Sequence, residues 1–154
     1  MQKDEKTIKD LNRKERIRKG KSLKFALSIP PSVNKLWDIK PNGKRVLNSH
    51  ARRYLSDVRS YSLMLCEDSA WRTTERDEWL YMDLVFYFPD KIIRDSHNFI
   101  KVLVDALQGS VFENDYSVMP RIQAVELDEL VPRVEITISH QTKREREDAL
   151  KKYS

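Results

Sequence analysis

From Leu23 the chain alternates. Leu23, Phe25, Leu27 and Ile29 are apolar at every second position, the period of a strand with one buried face. Pro30-Pro31 stops the pattern, and PPSVNKLW leads to KPNGK. There Asn42-Gly43 is a tight-turn signal that predicts a hairpin between Trp37/Ile39 and Arg45/Leu47. Asn48 or Ser49 can cap the helix that follows. In it Ala51, Tyr54, Leu55, Val58, Tyr61 and Leu65 recur at helical spacing to about residue 68, with Arg52, Arg53 and Arg59 on the other face. Leu80, Met82, Leu84, Phe86 and Phe88 alternate along a second strand that Pro89 ends. A second, strongly apolar helix is predicted from about Asn98 to Gln108, with Gly109 at the left-handed cap position. Two strands close the pattern, near Ile122–Leu127 and Arg133–Ser139, joined around Glu129–Pro132. The predicted order β, hairpin, α, β, α, β, β is that of an α+β domain: a small mixed β-sheet with two packed helices.

Length and composition place this pattern in one soluble domain with appendages. The chain has 154 residues, 40% hydrophobic and 34% charged, enough for a real core. Its apolar runs are too short to span a bilayer, and Met1 leads into charges instead of a signal-peptide core. A cytoplasmic location is expected, and no membrane partner. The lone cysteine, Cys66, rules out an internal disulfide and a cysteine zinc cluster. The net charge of +5 is uneven. Residues 1–24 hold ten Lys/Arg against four Asp/Glu, residues 25–140 hold 14 against 17, and residues 141–154 hold five against three. The expected division is a basic arm over 1–22, a folded domain over 23–140 and a charged tail helix over 141–154. Basic ends on a slightly acidic body suit a polyanion such as nucleic acid, or are solvated termini.

The segment RDSHNFIKVLVDALQGSVFEND, residues 94–115, carries the candidate chemistry. On a helical wheel Phe99, Ile100, Val102, Leu103, Val104, Ala106 and Leu107 cover more than half the circumference. Asn98, Lys101 and Asp105 form one narrow polar stripe. On so apolar a helix the stripe either faces a cleft or is the exposed strip, with Lys101 and Asp105 an ordinary ion pair. Asp95 precedes the helix, where it caps the turn or holds an ion. Glu113, Asn114 and Asp115 follow, and a short connection is expected to bring Asp115 back toward the helix. Carboxylates meeting beside a lysine suit Mg²⁺ with a phosphate substrate: metal and lysine together stabilise the charge that develops when the phosphodiester is cleaved.

Asp95-Ser96-His97-Asn98, Lys101, Asp105-Ala106-Leu107 and Asn114-Asp115 resemble the pattern D-x-D-N-x-x-K-x-x-x-D-A-L, followed by a D-D or N-D pair, of the RusA-type Holliday junction resolvases of phages and prophages. PPSVNKLW is similar to that family's P-P-S-x-N-x-x-W/Y segment, and the resemblance runs from about residue 23 to 139. It implies a homodimeric, Mg²⁺-dependent endodeoxyribonuclease that cuts four-way DNA junctions symmetrically in recombination and repair. Carried over, Asp95 and Asp115 bind metal, Lys101 meets the scissile phosphate, Asp105 is a further acidic member of the site, and Asn98 orients the loop. Lys91, Arg94, Arg52 and Arg53 are expected phosphate contacts, with Asn34 supporting. The chain departs from the pattern at His97, where the family has an aspartate, and at Asn114. Imidazole there is a metal ligand that suits Mn²⁺ better than Mg²⁺, or a base toward the attacking water, or the mark of a site that no longer holds metal.

Other candidates are plainer. His50 and His140 stand alone, Ser96 has no nucleophile setting, and Trp71 and Trp79 around the polar RTTERDE turn read as packing residues before base-stacking ones. Two rivals to a nuclease remain: a non-catalytic branched-DNA-binding protein with a degenerate metal site, and a protein-binding module in which 95–115 is only a capped, ion-paired helix.

Overall fold

The structure, a computed structural model, describes residues 22–152. The expected basic arm therefore lies outside the described residues, apart from Ser22. The elements are β1 (Leu23–Leu27), β2 (Trp37–Ile39), β3 (Arg45–Leu47), α1 (Ser49–Asp68), β4 (Leu80–Phe88), α2 (Ile100–Leu107), β5 (Val118–Leu127), β6 (Arg133–His140) and α3 (Lys143–Lys151). Short 3-10 turns occupy Val33–Lys35, Ser96–Phe99 and Asp115–Ser117.

Four strands form one mixed sheet in the order β1-β6-β4-β5, and β2-β3 is a separate two-stranded hairpin. β6 pairs antiparallel with both β1 and β4, whereas β4 and β5 run parallel. This is the expected α+β class. The alternation seen in the sequence is the alternation of burial. Leu80, Met82, Leu84, Phe86 and Phe88 share the core with Leu23, Phe25 and Leu27 of β1 and Val134, Ile136 and Ile138 of β6. Ala51, Tyr54 and Val58 of α1 and Val102, Leu103 and Leu107 of α2 belong to the same cluster, so both helices cover this face. The opposite face is half-exposed and polar, with the Arg121 and Arg133 guanidinium groups 3.8 and 3.9 Å from the ring centres of Tyr81 and Tyr87.

Three boundaries differ from the sequence pattern. β1 ends at Leu27, because the next carbonyl, Ser28 O, accepts a 2.8 Å hydrogen bond from the Tyr54 hydroxyl of α1. β5 begins at Val118 and includes Pro120. It is an edge strand, where a residue without an N–H can sit at no loss to the ladder. The segment before α2 is a 3-10 turn, with Asp95 as its cap: the Asp95 carboxylate accepts from His97 N–H at 3.1 Å.

Candidate active site

The two sequence motifs meet in space. The Val33–Lys35 turn packs against the Ser96–Phe99 turn. Asn48, the cap of α1, fastens that corner: its N–H donates to Leu36 O at 2.8 Å and its side-chain amide to Lys35 O. Between the β2-β3 hairpin, the start of α1 and α2 lies a cleft of about 400 Å³. Its walls are apolar: Val33, Leu36, Trp37, Leu47, Leu55 and Val102. Lys101 and Asp105 also line it, and they are ion-paired at 3.0 Å with side chains 65% and 39% exposed. Both readings of the polar stripe therefore hold together: an i, i+4 pair, and one that borders a cleft.

At the N-terminal end of the same helix Asp95 and His97 are neighbours. His97 Nδ1 stands 3.0 Å from Asp95 Oδ1, and both side chains are largely exposed. Asn98 is half-buried and its backbone N–H donates to Asp95 O at 3.0 Å, closing the turn that Asp95 caps. Asn34 is exposed in the facing 33–35 turn, its N–H held by Ser32 Oγ. Lys91 is exposed one turn upstream.

Asp115 is elsewhere. Arg94 lies 5.0 Å over the Phe88 ring and Phe99 packs on Phe86 and Phe88, which fixes the 94–99 segment at the C-terminal end of β4. Tyr116 packs edge-on against Trp79 at 5.5 Å, and Leu80 pairs with Val118. That fixes Asp115 at the N-terminal end of β4. A strand of nine residues separates these ends by roughly 26 Å at ~3.3 Å per residue. Within one chain the 113–115 segment returns to the C-terminal end of the helix, where Gln108 Nε2 donates to Glu113 O, and not to Asp95, because β5 enters the sheet parallel to β4 and must start at β4's beginning. Among the described residues no group of three or more His, Cys, Asp and Glu is placed to hold a metal ion. Among the described residues, one chain offers a divalent cation the Asp95–His97 pair without a third carboxylate, imidazole or thiol beside it.

Four arginines are held by carboxylates. Arg94 donates to Asp90 at 2.6 Å, which holds the Asp90 carboxyl below its ordinary range. Arg121 bonds Asp83 through two nitrogens, at 2.6 and 2.9 Å, and that hydrogen bonding lowers the Asp83 carboxyl. Arg133 is held by Asp128 and Glu135, and Arg72 by Glu78. By contrast, among the described residues no carboxylate pairs with Lys35, Lys40, Lys44, Arg45, Arg52 or Arg53. These free cations lie on the 33–35 turn, the hairpin and the first turn of α1, elements that contribute Val33, Trp37, Leu47 and Leu55 to the cleft wall, although none of the six lines it. The hairpin cations were not among the residues singled out from the sequence. The signal was present in KPNGKR, where the turn has a lysine on each side.

A family model described as Endodeoxyribonuclease RusA matches residues 28–139, most of the chain and all of the sheet except β1. The chain belongs to the RusA endodeoxyribonuclease family. Among curated proteins no sequence matches it. Family membership points to nuclease activity on DNA, and the matched span contains both motifs, the cleft and the Asp95–His97 pair. RusA nucleases are generally dependent on a divalent metal. No helix among the described residues is long and apolar enough to cross a membrane. The remaining aromatic candidates are structural. Trp71 is buried, donates from Nε1 to Val111 O at 3.0 Å and stacks on His140 at 5.2 Å, and Trp79 lies under the Arg146 guanidinium. Cys66 is buried too, and burial pushes its thiol up to about 11, so it stays protonated and unreactive.

Proposed function

We propose that the protein resolves four-way DNA junctions in recombination and repair, as a homodimeric, divalent-metal-dependent endonuclease acting in the cytoplasm. The observation that carries this reading is the exposure of Asp95, His97 and Lys101 together on one otherwise buried helix and its capping turn, within the span matched by the family. Asp95 and His97 would hold the metal, which supplies Lewis-acid stabilisation of the phosphate. Lys101, released from Asp105 by the arriving phosphate, adds the second positive charge. Asp105 then remains as a further acidic group at the rim. Arg52, Arg53 and Lys91 are exposed and unpaired and take the flanking phosphates, together with the arm and tail that border the 23–140 domain. Arg94 belongs to the set only if DNA displaces Asp90.

The separation of Asp95 and Asp115 supports a homodimer. A two-fold axis across the middle of β4 and α2 exchanges their ends. It would bring the Asp95 end of one copy to the Asp115 end of the other, completing with Asp115 a ligand set that one chain lacks. Two such composite sites match the two equivalent strands of a four-way junction. The test is cleavage of a synthetic four-way junction by the wild-type protein with Mg²⁺ or Mn²⁺. Paired nicks in two opposed strands are expected, with a preference for Mn²⁺. A second reading, a non-catalytic junction-binding protein, is favoured by the two-ligand site of the single chain. Tight, metal-insensitive junction binding without a nick under either metal would establish it.

A further inference from the structure

We propose that the cleft between the β2-β3 hairpin and α2 is a nucleobase pocket, filled by an unpaired base at the branch point, with Trp37 as its stacking platform. The proposal rests on the junction-resolving reading above and assigns the pocket a part in recognition.

Of the hairpin, Leu47 packs against the core, but all three residues of β2 are exposed, with Trp37 at 45% and Ile39 at 76%, so burial in the core does not account for the apolar residues of β2. Its register pairs Trp37 with Leu47 and Ile39 with Arg45, which puts these four side chains on one face. Trp37 and Leu47 of that face form a wall of the cleft, and Arg45 lies 5.6 Å from the Trp37 ring centre. An exposed indole beside an apolar cleft, with a guanidinium on the ring, is a surface on which a base can stack. Stacking is tolerant of sequence because every base has a π-face.

Charge selects the occupant. An apolar cleft lined by Lys101, on elements that also carry Lys35, Lys40, Lys44, Arg45, Arg52 and Arg53 without a carboxylate partner among the described residues, suits a polyanion with apolar faces and disfavours a basic protein surface. DNA bases are accessible in this way only where pairing is broken, and a branch point is such a place; the unstacking cost is least there. Position supports the same occupant. Lys101 lines the cleft and Asp95 lies just before the same helix, so a base seated against Trp37 would set the neighbouring phosphate beside them.

The experiment measures the affinity of the full-length protein for a four-way junction and for a duplex of the same arm sequence, in EDTA so that nothing is cut. Trp37→Ala should weaken junction binding by about tenfold, within the range for removal of one base–aromatic stack, and leave duplex binding unchanged. Trp37→Phe should restore most of the difference. Lys40→Ala/Lys44→Ala/Arg45→Ala should weaken binding to both DNAs alike. It should also reduce the slope of log K against log[salt] by about 0.9 for each phosphate these side chains neutralise. Thermal melting of each variant accompanies the titrations, and Ile39→Ser, at a position too exposed to affect folding, serves as a second probe of the same face. An unchanged junction preference in Trp37→Ala, or an equal loss on both substrates, overturns the nucleobase pocket. So does a shift from dimer to monomer at unchanged junction affinity, which would assign the cleft to a second copy. A wild-type protein without any preference for the junction overturns instead the reading on which the proposal rests.

Discussion

His97 stands where the family pattern has an aspartate, its Nδ1 3.0 Å from Asp95 Oδ1. An imidazole and a carboxylate side by side form a mixed N,O donor pair, which favours Mn²⁺ over Mg²⁺. His97→Asp should therefore raise activity with Mg²⁺ and narrow the Mn²⁺ advantage, read from cleavage rates across a metal titration. If His97→Asp and His97→Ala behave alike, His97 is no ligand. A half-buried histidine, His140, bears on stability. His140 stacks on Trp71 and its Nε2 has no hydrogen-bonding partner among the described residues. Burial lowers its pKa, with Glu78 opposing and Arg72 adding to the effect. The unfolded chain thus takes up this proton at higher pH than the folded one. The contribution is intact above the ordinary histidine value of ~6.5 and is lost as pH falls through the folded-state value. Denaturant midpoints should drop between neutral and mildly acid pH in the wild type, and drop less in His140→Phe. An equal drop in both would place the acid-sensitive group elsewhere.

At the level of elements, α2 joins two demands. Val102, Leu103, Val104, Ala106 and Leu107 are buried, and this burial fixes the helix so that Lys101 borders the cleft. A lysine held by a neighbouring aspartate is ready to move to a phosphate, and it matters most when charge develops in the transition state. Lys101→Ala should lower the cleavage rate by about 100-fold, the scale of losing one electrostatic stabiliser, and weaken junction binding only a few-fold. Equal losses would make Lys101 a general DNA contact. The stripe was legible in the sequence because one polar line on an apolar helix is a local pattern. So were the hairpin, whose strands fall where Asn42-Gly43 placed them, and β4 between Leu80 and Pro89. β5 was only half legible. Val118-Met119-Pro120 reads as a break until the strand is known to lie at the sheet edge. The capping 3-10 turn was hidden too, since an aspartate before a helix looks the same whether it caps an α-turn or a tighter one. The parallel pairing of β4 with β5 was the decisive gap. It joins residues about 40 apart in sequence, and no local periodicity encodes it.

That pairing governs the molecule as a whole, because it sends Asp95 and Asp115 to opposite ends of the same strand pair. Proximity in sequence suggested one cluster. On the proposed reading the sheet gives each chain two half-sites, and a two-fold dimer would turn them into two whole ones. Alone, Asp95→Asn and Asp115→Asn should each abolish cleavage yet keep junction affinity, since affinity comes from the cations. A dimer formed from one chain of each variant differs. One of its composite sites would carry both substitutions, and the other neither, because the intact Asp95 of one chain meets the intact Asp115 of the other. Mixing the two inactive proteins under conditions that exchange subunits should therefore restore nicking. With random exchange about half of the dimers are mixed and each has one good site, so about a quarter of the wild-type sites return. The products should be single nicks in place of paired cuts, because each active dimer can cut one strand only. Were Asp95 and Asp115 to act within one chain, every site in the mixture would still lack one carboxylate, and no activity would appear at any ratio.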